Sequence, residues 1–215
     1  MKLVSMDLVS LTPQGRILLT LAHGQHTYAE LKAESGLSDR WLTIKLQELV
    51  ADGSVAKDGR WYRVCEGAKV SAYELSLFMR GQAQRVAAEL GKLPLVELVV
   101  LFGSVAQRKA EQYSDIDLLI VAADTGEKSR GMIVNELRRL ESTFHFAIES
   151  LILSEQDFAK NLRTAEGGII FGLAEGFEVL LDRKANLSDM LQSRVQEILS
   201  SFTRLDEEAI WLKAK

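Results

Sequence analysis

Apolar positions along the chain fall into two textures. Up to about residue 65 they recur at helical spacing and then in a short β-prone pair; beyond residue 94 strand-like and helix-like segments alternate. Leu11-Thr12-Pro13 predicts a helix start, with Thr12 placed to cap and Pro13 in the first turn, where its missing N–H costs nothing. Ile17, Leu18, Leu21 and Ala22 continue that helix until Gly24. A second helix is expected over 27–35, ended by Gly36. Ser38 caps a third through Ala51, with Trp41, Ile44, Leu46, Leu49 and Val50 assigned to its buried side. Two strands, 54–57 and 60–64, flank Asp58-Gly59, a strong hairpin signal.

A long helical pattern over 68–90 follows, carrying Ala72, Leu75, Leu77, Phe78, Val86, Ala87 and Leu90, and ends at Gly91 and Pro94. Strands are then expected at 95–102, 115–122, 146–153 and 177–181. Helices are expected at 127–142, 155–162 and 169–174, with a last amphipathic helix from Leu187 to Trp211 that caps the sheet or mediates dimerisation. This alternation implies an α/β or α+β class, a mixed sheet with helices packed on it. The chain divides into an N-terminal helical domain (1–66), a connecting helix (67–93) and a C-terminal domain (94–215).

Composition narrows the function only a little. The 215 residues carry 26 Lys+Arg against 30 Asp+Glu, a net charge of −4, with 47% apolar residues. Mild acidity argues against holding nucleic acid by bulk charge alone. The first 66 residues hold eight basic and eight acidic side chains, so the excess acid lies in the remainder. Cys65 is the one cysteine, which excludes an internal disulfide and a cysteine-built zinc site. Apolar runs such as 93–102 fall short of the ~20 residues a membrane span needs. Asp7 interrupts the opening residues where a signal peptide requires apolar ones. The expectation is a soluble cytoplasmic protein with no membrane partner. His23 and His26 lie around a turn with no acid or cysteine near in sequence, His145 reads as a surface residue and Trp61 as a packing aromatic. Arg138-Arg139 and Arg183-Lys184 read as solvated faces.

The first segment, with Tyr28-Ala29-Glu30-Leu31-Lys32, the turn Gly36-Leu37-Ser38, the helix 39–50 and the hairpin tip Lys57-Asp58-Gly59-Arg60, resembles the winged helix-turn-helix family of DNA-binding domains. That resemblance implies a third helix entering the major groove of double-stranded DNA, with Ser38, Arg40, Thr43 and Lys45 reaching bases or phosphates. Lys57 and Arg60 would be phosphate contacts. A winged helix that binds protein instead is the alternative, weighted by the absence of a net positive field and by Asp39 at the start of the reading helix.

The second constellation carries chemistry. An apolar strand ends in Gly103-Ser104; ten residues later Asp115-Ile116-Asp117 opens another apolar strand. Residues two apart on a strand point to one face, about 6.6 Å apart at ~3.3 Å per residue, so Asp115 and Asp117 offer paired hard oxygen ligands suited to Mg²⁺. Glycine permits close backbone approach to a phosphate, and the following amides and the Ser104 hydroxyl are donors to anionic oxygens. The spacing resembles the small, minimal members of the DNA polymerase β nucleotidyltransferase superfamily. The resemblance implies a nucleoside triphosphate substrate, Mg²⁺ (or Mn²⁺) as cofactor, and a third carboxylate on a neighbouring strand, for which Glu149 is the candidate. The family commonly carries arginine three residues after the serine and then glycine; here those positions are Gln107 and Arg108, and Arg108 or Lys109 is the substitute cation. The third acid is glutamate where aspartate is usual.

The resulting expectation is transfer of a nucleoside monophosphate to a hydroxyl acceptor, with Asp115, Asp117 and Glu149 as catalytic and metal-binding residues and Gly103, Ser104 and Arg108 as nucleotide-binding residues. The alternative is a DNA-binding or antitoxin-like regulator whose transferase domain senses nucleotide without turnover. The resemblances also permit a helical protein partner and a homodimer.

Overall fold

The computed structural model describes residues 12–22, 24–65, 72–111, 114–144, 146–164, 169–205 and 210–213. His23 and His145, and the start of the expected 68–90 helix, lie outside them. The described chain forms two compact units, Met1–Phe78 and Met79–Lys215.

In the first unit, α1 (Pro13–Ala22) starts at Thr12, whose Oγ1 accepts the Gly15 amide at 3.1 Å. A short strand, β1 (His26–Thr27), runs directly into α2 (Tyr28–Ser35). Thr27 and Glu30 form a capping box, each side chain serving the other's backbone, and Gly36 closes the helix in the left-handed conformation at φ 63°. Ser38 caps α3 (Asp39–Ala51) through the Trp41 amide. β2 (Val55–Asp58) and β3 (Trp61–Val64) pair so that Asp58 faces Trp61; the turn residues are therefore Gly59-Arg60, one position later than expected. The three strands order β1-β3-β2, and Ile17, Leu21, Leu31, Leu42, Leu46, Leu49, Val55 and Tyr62 make the core.

The buried face of α3 differs from the expected one. Leu42, Leu46 and Leu49 are buried, whereas Trp41 (51% exposed), Ile44 and Val50 face solvent. Leu42, Leu46 and Leu49 follow the i, i+4, i+7 stripe that packs against α1 and α2, and Trp41 and Ile44 lie off it. His26 also departs from expectation. It is 3% exposed, and its Nε2 lies 3.2 Å from Glu34, brought round by α2 from eight residues away. Burial lowers its pKa, but the hydrogen bond to Glu34 and that residue's charge outweigh this and leave it raised.

α4 (Ala72–Leu90) spans the division between the units. In the second unit, β4 (Val96–Phe102), α5 (Gly103–Ala106), β5 (Ile116–Ala122), α6 (Glu127–Phe144), β6 (Ile148–Ser154), α7 (Glu155–Arg163), α8 (Ile170–Glu175), β7 (Glu178–Asp182) and α9 (Asn186–Ser201) follow in order. The mixed sheet is ordered β6-β5-β4-β7; β5–β6 is parallel and the other two pairs antiparallel. On one face Leu98, Val100, Leu119 and Val121 pack with Phe158, Leu162, Leu173, Leu187, Leu191 and Val195 of α7, α8 and α9. The alternate residues Val99, Leu101, Leu118 and Ile120 are equally buried, matched by the buried stripes of α4 (Met79, Ala83, Val86) and α6 (Ile133, Leu137, Leu140). A strand buried on both faces reads as a continuous apolar run, as β4 and β5 do.

The expected last helix stops early. α9 ends at Ser201, and β8 (Phe202–Leu205) pairs antiparallel with β9 (Ile210–Lys213). The helical stripe Leu187, Leu191, Val195, Ile198 continues in phase to Phe202 and Leu205, so periodicity alone does not stop the helix; Phe202-Thr203 and Ile210-Trp211 are β-prone and pair instead. Lys184, expected as a solvated charge, lies 2.6 Å from the buried carboxylate of Glu97 and 2.5 Å from Glu155.

Candidate active site

β4 delivers Gly103-Ser104, and its neighbour β5 delivers Asp117. Phe102 and Asp117 are paired across these strands, so the carboxylate sits beside the turn that follows Phe102. On the other side Asp117 is paired with Glu149 of β6. Phe102, Asp117 and Glu149 therefore lie in one row across three adjacent strands, at a spacing of roughly 4.8 Å per strand, with Gly103 the next residue after the row's first member. Cross-strand partners share a face, here the face covered by α7, α8 and α9. Asp115 stands two residues before Asp117, at the strand's entrance, where the Ile116 amide bonds the Ala147 carbonyl at 3.0 Å and locks the starts of β5 and β6 together.

Gly103 is required twice. Its φ of 70° is left-handed, and a Cβ there would lie 1.9 Å from Asp117 Oδ2 and 2.7 Å from its Cγ. The sequence suggested glycine for close approach to a phosphate; the close approach present is to the carboxylate. The short helix α5 then ends in a Schellman closure: the Arg108 amide bonds Val105 O at 3.2 Å and the Lys109 amide bonds Ser104 O at 2.9 Å. Arg108 occupies the left-handed position of that closure, φ 61°, where glycine is the usual residue. Its side chain is exposed at the rim of the turn.

Asp117 is half-buried and its pKa is raised, first by burial and then by the charges of Glu149 and Asp115. Glu149 and Asp115 themselves are exposed. Among the described residues no three acidic, histidine or cysteine side chains converge closely enough to hold a metal ion as they stand. The donor chemistry nevertheless fits a divalent cation: oxygen ligands only, three mutually repelling carboxylates, one of them partly desolvated.

The residue at 107 reaches away from the acids. Gln107 Nε2 donates to Glu175 Oε2 at 3.2 Å, and its stem packs on Gly176. Glu175 also pairs with Arg204 Nε at 3.2 Å. On the opposite face Arg80 clamps Glu178, whose strand partner is Leu101, through both carboxylate oxygens. None of Gln107, Glu175 and Arg204 stood out as a group in the sequence, because 97 positions separate the first from the last.

In the first unit, the side chains expected to meet DNA, Arg40 excepted, make contacts within the unit. Lys45 pairs with Glu48 at 2.7 Å and lies over Trp41, Lys57 lies over Tyr62, and Arg60 stacks on Trp61. Thr43 Oγ1 shares a hydrogen bond with Tyr28 OH at 2.9 Å. Ser38 is spent as the α3 cap and Arg40 is exposed. Asp39 is held 2.6 Å from Lys32. A groove of about 400 Å³ between α3 and the hairpin is lined by Tyr28, Thr43, Gln47, Val50, Lys57 and Tyr62, among others.

Residues 84–191 match the family model described as polymerase beta nucleotidyltransferase. Among solved structures, a toxin–antitoxin complex with AMP-PNP is 18% identical, spanning 55% of this chain and 87% of that one, with a TM-score of 0.38. A nucleotidyltransferase from Sulfolobus solfataricus is 28% identical over 45% of this chain and 85% of its own, with a TM-score of 0.32. The tri-AMPylated Shewanella oneidensis HEPN toxin in complex with MNT antitoxin is 18% identical over 55% and 87%, with a TM-score of 0.33. No curated protein matches the chain. No helix among the described residues is long and apolar enough to cross a membrane.

Proposed function

The chain belongs to the polymerase beta nucleotidyltransferase family, and from that premise we propose that it transfers a nucleoside monophosphate from a nucleoside triphosphate to a hydroxyl acceptor in a reaction dependent on Mg²⁺ or Mn²⁺. The observation that carries this reading is the row Phe102–Asp117–Glu149 across β4, β5 and β6, with Gly103, the next residue after Phe102, close against Asp117. It sets a glycine-serine turn directly beside acids that repel one another until a cation joins them.

Asp115, Asp117 and Glu149 would hold the divalent ion, which when bound would offset phosphate charge and favour in-line displacement at phosphorus. The chain's own groups do the rest. The Gly103-Ser104 amides and the Ser104 hydroxyl orient the phosphates, and Arg108, presented outward by its left-handed backbone, pairs with their charge. The acceptor oxygen bonds to the α-phosphorus, the bridge to the β-phosphate breaks, and pyrophosphate leaves. The hydroxyl proton passes to the exposed Glu149 carboxylate, which solvent can then deprotonate. The test is transfer of labelled nucleotide across all four triphosphates with Mg²⁺ or Mn²⁺. Transfer lost in Asp117→Asn supports the reading; Asp117→Asn indistinguishable from wild type refutes it.

The first unit is read as a winged-helix module that binds double-stranded DNA or a protein partner. The exposed Trp41, Ile44 and Val50 and the internally engaged Lys45, Lys57 and Arg60 favour a protein partner. The exposure of Glu149 supports a second reading, a regulator whose transferase domain holds nucleotide without turnover. DNA binding at low salt that survives Asp115→Asn would favour that reading, and its absence would count against it.

A further inference from the structure

The entrances of β5 and β6 decide how the three acids stand to one another. Asp115 and Asp117 flank Ile116, whose amide bonds the Ala147 carbonyl at 3.0 Å, and Ala147 lies two residues before Glu149. Whatever fixes the first residues of β6 therefore fixes Glu149 against both aspartates.

Backbone groups of successive residues along a strand turn to opposite sides. The Ala147 carbonyl faces β5, so the Ile148 amide faces away from it. Among the described residues β6 is the outer strand of its sheet, and no neighbouring strand accepts that amide. The acceptor comes from α6 instead: Glu141 Oε1 receives the Ile148 N–H at 3.0 Å. Glu141 is half-buried, and an ionised acceptor makes this bond stronger than a neutral one would.

The junction of α6 and β6 is also held a second way. Phe144 stacks on the buried Phe146 at 5.8 Å between ring centroids, and the Arg85 guanidinium of α4 lies 4.2 Å over the Phe144 ring. These contacts anchor the connection without Glu141, so removing that carboxylate loosens the strand's entrance and leaves the fold in place.

We propose that Glu141 is a positioning residue for the site: it holds the Ile148 amide and, through it, keeps the Glu149 carboxylate placed to share a divalent cation with Asp117. The inference rests on the reading of Asp115, Asp117 and Glu149 as ligands of that cation. Glu149 is exposed, so packing restrains its side chain little and the backbone is the handle the fold has on it. Glu141 reaches the strand from α6, whose buried stripe meets the sheet face opposite the acids, so it acts through the backbone and not as a fourth ligand.

The experiment combines amide hydrogen exchange with calorimetric titration of the full chain by each of the four nucleoside triphosphates, with and without Mg²⁺. The Ile148 amide should exchange slowly in wild type and in Glu141→Gln, whose amide oxygen still accepts the N–H. It should exchange about tenfold faster in Glu141→Ala and Glu141→Asp, the scale of one charged hydrogen bond; aspartate keeps the charge but is one methylene short. Both variants should weaken triphosphate binding in Mg²⁺ about tenfold, the lower end of the loss on removing an outer partner of a metal ligand, and change metal-free binding less than about twofold. Glu141→Gln should recover most of that loss. In a Glu149→Gln background Glu141→Ala should add nothing further, and additive losses overturn the proposal. A merely structural bond predicts equal losses with and without Mg²⁺, and that result overturns it too. So does an aspartate variant that binds better than the glutamine variant, because charge alone would then be the cause. A Mg²⁺ effect lost in Asp117→Asn but kept in full by Glu141→Ala overturns the proposal and leaves the cation reading standing. A wild-type protein whose triphosphate binding ignores Mg²⁺ overturns both.

Discussion

Replacing Gly103 by alanine probes the contact on which the site is built. The backbone there has φ 70°, and an added Cβ would sit 1.9 Å from Asp117 Oδ2 and 3.1 Å from its Cβ. Left-handed backbone costs a non-glycine residue about 1–2 kcal/mol. Forcing the Asp117 side chain aside in a tightly packed row costs about 1–3 kcal/mol more. Gly103→Ala should therefore destabilise the second unit by about 2–5 kcal/mol in urea melts. The two contributions are separable. In an Asp117→Ala background the clash with the carboxylate disappears, while the backbone cost of about 1–2 kcal/mol and the 3.1 Å approach to the retained Cβ remain, so the double-mutant cycle should show a coupling of about 1–3 kcal/mol. Two results would refute the reasoning: a Gly103→Ala cost below about 1 kcal/mol, or additivity of the two changes within about 0.5 kcal/mol.

Arg108→Gly relieves a left-handed arginine and should stabilise the protein by about 0.5–1 kcal/mol in the same assay while weakening triphosphate binding; a destabilised variant would show that the backbone is not strained there. In metal-free protein Asp117 has a raised pKa, so between its ordinary value of 3.8 and the raised one the folded state binds more protons than the unfolded. Stability falls as pH rises through that window, Asp117→Asn should raise Tm above it, and added Mg²⁺ should stabilise wild type but not the variant. His26 gives the opposite kind of signature to an acid held ionised: its raised pKa contributes stability that is fully present below 6.5 and lost as pH rises through the folded value. The pH dependence of unfolding of the first unit above 6.5 should flatten in His26→Gln. On α3, Leu42→Ala should cost about 2–5 kcal/mol and Trp41→Ala, on the solvent face, no more than about 0.5 kcal/mol.

The elements that sequence disclosed best are those whose local signals agree. Thr12-Pro13 and Ser38 cap the helices they were expected to cap, and the runs leading to Gly103 and from Asp117 are the two central strands because both of their faces are buried. The spacing of Gly103-Ser104 and Asp115-Ile116-Asp117 was visible in the chain, whereas Glu149 was named only through the family resemblance. The failures have identifiable causes. Trp41 and Ile44 were assigned to the core of α3 by hydrophobicity, yet the stripe through Leu42, Leu46 and Leu49 is the one that tertiary packing selected. The strands after Ser201 continue a chain of mostly helix-compatible residues, and the aromatic packing of Phe202 and Trp211 on Phe171, which holds them, is a non-local contact. His26 and Glu34 become partners only when α2 turns back on β1. The Gln107–Glu175–Arg204 chain likewise needs the sheet, α8 and the hairpin to be in place before its members meet. Arg108 carries no glycine to announce its left-handed backbone, so the closure of α5 was invisible.

The central claim is that the acids beside the Gly-Ser turn make nucleotide binding depend on a divalent cation. The most direct measurement is the affinity of the full chain for nucleoside triphosphates with and without Mg²⁺, in wild type and Asp117→Asn. The account predicts that Mg²⁺ tightens binding at least about tenfold in wild type, equivalent to about 1.4 kcal/mol, and has no such effect in Asp117→Asn. Equal binding with and without Mg²⁺, or the same Mg²⁺ enhancement in both proteins, would contradict it.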